Sequence, residues 1–357
     1  MKKFKLISII FYLIIFVFLD FLITNIFTLG KNILLDDARI NNNLYHHDLK
    51  KNFESYGVLN EKVFTNSLGF RDFYKRKVEI NSEMQRILLM GDSFTYGLGL
   101  EYKDSFAGLI TKEYEKKNIE ILNAASVSYS PTIYFKKIEY LINEVGLKFN
   151  EIFLFIDVSD VYDDLYRYEI NNNGQVVNNS NFEKNIKKTN FIEKSKNYIS
   201  SNFTIIFLIL NSINDYFSPD LISKEKFAIF HRNARWNWDT DFKYEAVKGL
   251  KINNIYLDKM KALLDKNNIK LKVIIYPWPS DIFFRNKKTD YEFNWEGWSK
   301  KNNVKFYNFV KYFDYVKNFS DKKKQKIINE LYQKNDMHFN KEGSLLFFNQ
   351  IINFLKL

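Results

Sequence analysis

The sequence predicts an α/β fold, a doubly wound parallel five-stranded sheet flanked by helices and preceded by an N-terminal transmembrane helix. Three observations lead there. Short runs of apolar residues recur at Arg86–Met90, Ile119–Leu122, Ile152–Ile156, Leu271–Tyr276 and Val304–Tyr307. Helical patterns separate them, which is the rhythm of a parallel sheet with crossover helices. The third run is apolar at every position, as a strand covered on both faces must be.

The first segment, Leu6–Leu29, reads LISIIFYLIIFVFLDFLITNIFTL, close to the ~20 apolar residues that cross a bilayer. Lys2, Lys3 and Lys5 precede it, and this polarity keeps the N-terminus in the cytoplasm and the body outside, on the periplasmic side. Thr28-Leu29-Gly30-Lys31 is a poor cleavage site, so the segment reads as a signal anchor rather than a removed leader. Asp20 is an awkward charge within it. The organisation is then residues 1–30 as anchor, 31–84 as a polar stalk or cap, and 85–357 as the α/β domain. An Asn-rich insertion interrupts that domain at about 166–250. It contains Phe203–Leu210, an apolar run too short to span.

Within the domain, Arg86–Met90 ends in Gly91. Asp104 is a helix cap for the stretch through Leu109 and Tyr114. Ser130-Pro131 opens a helix with proline in its first turn, which Gly146 stops. A helix from about Asn253 to Asp265 precedes the fourth strand. Helices near Lys322–Tyr332 and Glu342–Leu355 close the chain.

Composition narrows the chemistry. The 357 residues contain no cysteine and four histidines, so thiolate nucleophiles, disulfides and cysteine-bound metals are excluded. The net charge of +11 comes without a dense Lys/Arg block, and nothing points to nucleic acid. No metal or organic cofactor is implied. His46-His47-Asp48 reads as a solvated loop, and Asp157, Asp160, Asp163 and Asp164 as loop and cap residues after the third strand. Trp236 and Trp238 read as packing of the insertion, and Trp278 borders the cleft or fills the core.

Gly91-Asp92-Ser93 directly follows the first strand, where a serine stands above the sheet edge. Its hydroxyl needs a base, and Asp336-Met337-His338 supplies one. In an extended segment residues two apart point the same way, so Asp336 can orient the His338 ring. Imidazole is the side chain whose ordinary titration lies near working pH.

With these motifs the sequence resembles the SGNH (GDSL) hydrolase family over roughly residues 64–165 and 270–356. Asn66-Ser67-Leu68-Gly69-Phe70-Arg71 is similar to a lead-in of its membrane-anchored members. Gly91-Asp92-Ser93 is similar to the first block, Asn123–Ser130 to the second, Asp157–Asp160 to the third, and Asp336 with His338 to the last. The resemblance implies Ser93 as nucleophile, His338 as base and Asp336 as its partner. It implies an oxyanion hole from the N–H groups of Ser93 and Ser128, assisted by Ser159. Ser128 replaces the family's glycine and Ser159 its asparagine; Asp336 and His338 are two apart rather than the common three. The implied activity is esterase or O-acyltransferase chemistry on acyl, foremost acetyl, esters of a cell-surface glycan or a small ester. The alternative is an inactive relative that binds glycan or scaffolds an envelope assembly.

Overall fold

The computed structural model describes residues 2–26, 38–57, 61–180, 198–199, 202–217, 228–286 and 288–356. The chain divides into two compact units, residues 1–36 with 180–223, and residues 37–179 with 224–357.

In the first unit the apolar sequence forms a helix, Lys2–Ile26, beside a second helix, Thr204–Phe217. Asp20 is buried here, and its two carboxylate oxygens accept the N–H groups of Ile205 and Ile206 at 3.1 and 2.9 Å. Thr24 Oγ1 donates to Asp20 and accepts from Thr204 N. The charge that looks misplaced in sequence therefore satisfies orphan donors at the start of the second helix. Among the described residues no helix is long and apolar enough to cross a membrane. The predicted span runs on to Leu29, and its last three residues lie outside the described ones.

Among the described residues the second unit has twelve strands. β1 (Arg39–Asn42) and β2 (His46–Leu49) form one hairpin. β3 (Glu54–Tyr56), β4 (Lys62–Thr65) and β5 (Arg71–Asp72) follow. The parallel strands are β6 (Arg86–Gly91), β7 (Glu120–Asn123), β8 (Glu151–Ile156), β11 (Lys270–Ile275) and β12 (Lys305–Asn308). β9 (Tyr168–Ile170) and β10 (Val176–Asn178) make a hairpin within the predicted insertion. The large sheet has the order β12-β11-β8-β6-β7-β5-β4-β3.

Its five parallel strands are the five expected, in the order that reverses between β6 and β8. Chain direction diverges at that pair, so the crevice beyond their carboxyl ends is where such folds place ligands. The sheet is nevertheless eight-stranded. β3, β4 and β5 extend it antiparallel from β7, so residues 39–72 belong to the α/β unit and are not a stalk. Their alternation is short and polar-outward, as an edge strand's is, which hid them in a polar stretch. Asn66 fixes the β4–β5 turn by accepting from Leu68 N and Phe70 N. Gly69 there has φ 79°, and a Cβ would meet Leu49 O at 2.6 Å.

Helices cover both faces. α1 (Ser93–Tyr96) follows β6, α2 (Phe106–Glu115) leads to β7, and α3 (Pro131–Asn143) leads to β8. Ser105, not Asp104, caps α2 by accepting from Gly108 N; Asp104 ends a 3₁₀ turn. α4 (Lys243–Lys266) begins ten residues before the predicted start at Asn253. α5 (Pro279–Phe283), α6 (Asp290–Lys301), α7 (Asp321–Leu331) and α8 (Lys341–Leu355) complete the unit. α2 packs with α8, and α3 with α4. Between these layers every residue of β6 and β8 is buried.

Candidate active site

β6 delivers the chain to the sheet's carboxyl edge at Gly91, where close contacts forbid a side chain: a Cβ would meet Phe155 O at 2.9 Å. Asp92 then caps α1, and Gly97 closes it at φ 84°. Arg71, buried, lays its guanidinium over the Tyr96 ring at 4.6 Å and donates to Leu100 O, so the lead-in motif braces this turn. Ser93 stands at its first helical position.

The His338 ring arrives from the loop between α7 and α8. Tyr332 and Phe339 bridge that loop, and Asn340 caps α8 by accepting from Gly343 N. His338 Nε2 lies 2.7 Å from Ser93 Oγ. His338 Nδ1 is bonded to Asp336 Oδ1, which also accepts the backbone N–H of His338 at 2.8 Å. Burial alone raises the Asp336 carboxyl, but the hydrogen bond and charge of His338 overcome it and hold it below the usual carboxylate range. An anionic Asp336 requires Nδ1–H of the ring, leaving Nε2 to accept from the serine. The three side chains thus form a hydroxyl–imidazole–carboxylate relay.

The three expected oxyanion donors also come together, around another group. Asp92 Oδ1 accepts the N–H of Ser93 at 2.5 Å and the N–H of Ser128, and Asp92 Oδ2 accepts Ser159 Oγ–H at 3.4 Å. Ser128 has φ 64°, a left-handed backbone that favours glycine. Its carbonyl is held by Tyr168 OH at 2.8 Å, from the predicted insertion. Sequence reading overlooked Asp92 itself, although it lies inside the motif that points to Ser93.

Asp92 heads a buried acidic group. Asp92, Asp157 and Asp160 bring carboxylate oxygens within 4.8 Å of one another. Asp157 accepts from Ser159 N, Tyr276 OH and Trp278 Nε1, and Asp160 accepts from Tyr134 OH. Burial first, and then the neighbouring carboxylates, push Asp92 and Asp160 well above the ordinary range. Burial also pushes Asp163 to about 7, against the opposing charge of Arg167, and Asp164 to about 6. These residues are buried rather than in the solvated loop expected; Asp164 keeps the capping role, accepting Thr132 N in the first turn of α3.

Trp278 lies in the wall, its ring 6.2 Å from Phe94 and 5.4 Å from His231. His231 is a second imidazole near the relay; burial first, then Arg232, lowers it to about 4. Its place in the insertion gave no signal of this. His46 and His47 are not in a solvated loop. They sit on β2 with rings joined at 2.8 Å, His46 reaching Asn178 and His47 reaching Val127 O. Asp48 accepts from buried Lys137 at 2.8 Å and from Tyr45 OH, which ties the hairpin to α3.

No family model and no curated protein matches the chain. Solved structures that resemble it include esterases. An acetyl xylan esterase, AlAXEase, is 13% identical over 76% of this chain and 100% of its own, with a TM-score of 0.42. The psychrotrophic esterase EstA from Pseudoalteromonas sp. is 11% identical over 75% and 95%, with a TM-score of 0.37. The acetylxylan esterase Axe2 from Geobacillus stearothermophilus is 12% identical over 77% and 95%, with a TM-score of 0.37.

Proposed function

We propose that the protein is a serine-dependent esterase or O-acyltransferase of the SGNH type, acting on acyl esters, acetyl foremost, of a cell-surface glycan. One observation carries this reading: Ser93 Oγ, the His338 ring and Asp336 lie in hydrogen-bonded series at the sheet's switch point. Ser93 Oγ attacks the acyl carbon while His338 Nε2 takes its proton. Asp336 holds the ring and balances the imidazolium charge. The sugar oxygen leaves with that proton, and the acyl group remains on Ser93. Water, or another sugar hydroxyl, then gives its proton to His338 and takes the acyl group, and His338 returns that proton to the departing Ser93 Oγ. The carbonyl oxygen needs the N–H groups of Ser93 and Ser128, so Asp92 Oδ1 must yield them.

The glycan and the acetyl group rest on the resemblance of the motifs. Placement outside the cytoplasm rests on the apolar N-terminal sequence and its preceding lysines, and on the outward-facing Phe11, Tyr12, Ile14 and Phe18 of its helix, which call for an apolar environment.

A second reading has its own observation. All three oxyanion donors are engaged by Asp92, which favours a catalytically idle relative that binds glycan. A fluorophosphonate probe separates the two. An activated Ser93 is labelled in the wild type, and labelling collapses in Ser93→Ala and in His338→Ala. A wild type that neither takes the probe nor releases acetate from any acetylated glycan, yet binds glycan with or without Ser93, establishes the binder.

A further inference from the structure

Two hairpins outside the five parallel strands close on one short stretch of backbone, Val127–Tyr129, whose Ser128 N–H shares Asp92 Oδ1 with the N–H of the nucleophile. β2 brings His47 to it, and β9 brings Tyr168. The hairpins are also joined to each other. Tyr45 pairs with Val176, Val176 N donates to Leu44 O at 2.9 Å, and the His46 ring meets the Asn178 side chain at 2.9 Å.

The contacts fall on successive peptide units. His47 Nε2 lies 2.8 Å from Val127 O, and Tyr168 OH donates to Ser128 O at 2.8 Å. Tyr129 OH returns a hydrogen bond to His47 O at 2.9 Å. A carbonyl oxygen only accepts, so His47 Nε2 carries the hydrogen. Burial first, then Arg39, holds the His47 imidazole well below its ordinary range, so the ring is neutral and its Nδ1 accepts. The proton between the two imidazoles, whose Nδ1 atoms are 2.8 Å apart, therefore belongs to His46.

Val127 O and Ser128 N–H are the two ends of one planar amide. A donor on the oxygen polarises the unit and strengthens its N–H, as in any chain of hydrogen bonds. It also fixes the plane, and with it the direction of that N–H. Tyr168 fixes the next unit through Ser128 O. Between two held planes Ser128 keeps φ at 64°, a conformation that serine adopts only where its surroundings impose it.

We propose that His47 and Tyr168 are positioning residues for the oxyanion donor: they aim and polarise the Ser128 N–H from the far side of its backbone, and His46 with Asn178 locks the His47 ring. That this N–H serves an oxyanion rests on the esterase reading; that the hairpins hold it does not.

The test compares His47→Phe, His47→Gln, Tyr168→Phe and Tyr45→Phe in the full chain. Tyr45 lies beside His46 and bonds Asp48, so Tyr45→Phe reports what loosening the hairpin does by itself. On p-nitrophenyl acetate, kcat should fall about 10- to 10²-fold in His47→Phe and in Tyr168→Phe, with KM little changed, because a misaimed donor is lost mainly to the transition state. His47→Gln keeps a side-chain N–H and should regain most of the loss, and Tyr45→Phe should keep the wild-type kcat. Without substrate, hydrogen exchange at the Ser128 amide should quicken by about tenfold in His47→Phe and Tyr168→Phe but not in Tyr45→Phe. Equal losses of kcat in all the variants, a rise in KM alone, or no gain from His47→Gln over His47→Phe would overturn the proposal. A wild type that cleaves no ester but shows the expected exchange pattern ends the esterase reading and leaves the clamp standing; exchange unchanged by His47→Phe and Tyr168→Phe ends the clamp.

Discussion

Asp92 Oδ1 accepts the backbone N–H of Ser128, the same N–H that a reacting carbonyl oxygen would need. Phosphonylation of Ser93 mimics the tetrahedral intermediate. In the structure of that adduct the phosphonyl oxygen should occupy the N–H groups of Ser93 and Ser128, with Asp92 turned away from both. An adduct that leaves Asp92 on both donors would remove them from the mechanism.

Substitutions along the relay should be unequal. His338→Ala removes the base and should lower kcat on a small acetyl ester by on the order of 10⁵–10⁶. Asp336→Asn disturbs only the ring's tautomer and orientation, and should lower it by on the order of 10⁴. Equal and small losses in both would detach His338 from Ser93 chemically, whatever their spacing.

Ser159 makes the longest of the three contacts with Asp92, 3.4 Å from Oδ2. Ser159→Asn supplies an amide that reaches further, and should raise kcat by up to about 10²-fold if oxyanion stabilisation limits the reaction. Steady-state kinetics on p-nitrophenyl acetate decides it, and an unchanged kcat assigns the limiting step elsewhere.

Stability should fall as pH rises from 6.5 to 8. Burial pushes Asp163 and Asp281 up to about 7, so each holds its proton more tightly folded than unfolded. The stability this contributes is complete below the unfolded value near 4 and is lost as pH climbs through about 7. Each carboxyl accounts for roughly 1 kcal/mol across that window. Below about 6.5 the buried His47 and the half-buried His46 and His231, all lowered, act in the opposite sense, which is why the upper window is the clean one. Thermal melts of the wild type and Asp281→Asn should diverge in slope there; parallel slopes would contradict it.

Fusion of alkaline phosphatase to the C-terminus tests the placement. The enzyme folds only after export, so activity is expected, and an inactive fusion at normal expression would put the body in the cytoplasm.

The parallel sheet and the Ser93–His338–Asp336 series were legible because each depends on short-range pattern: apolar runs of strand length, and reactive residues at strand ends. What escaped depends on pairing across distance. β3, β4 and β5 are too short for their alternation to stand out, and only the ladder of pairings from β3 through β4 and β5 to β7 makes them strands. The buried state of His47 and Asp48 and the partial burial of His46 follow from Val127, Lys137 and Asn178, all distant in sequence. The position of His231 is set by Trp278, 47 residues on, and no local spacing announces it.

Asp20 carries a practical consequence for anyone wishing to handle the α/β unit by itself. The carboxylate holds the first turn of Thr204–Phe217, so the N-terminal helix and that distant stretch form one folding partnership drawn from two places in the sequence. Trimming only the N-terminus strands an apolar helix with unsatisfied donors, a recipe for aggregation. A well-behaved fragment requires two cuts, with residues 1–36 removed and 180–223 replaced by a short flexible bridge.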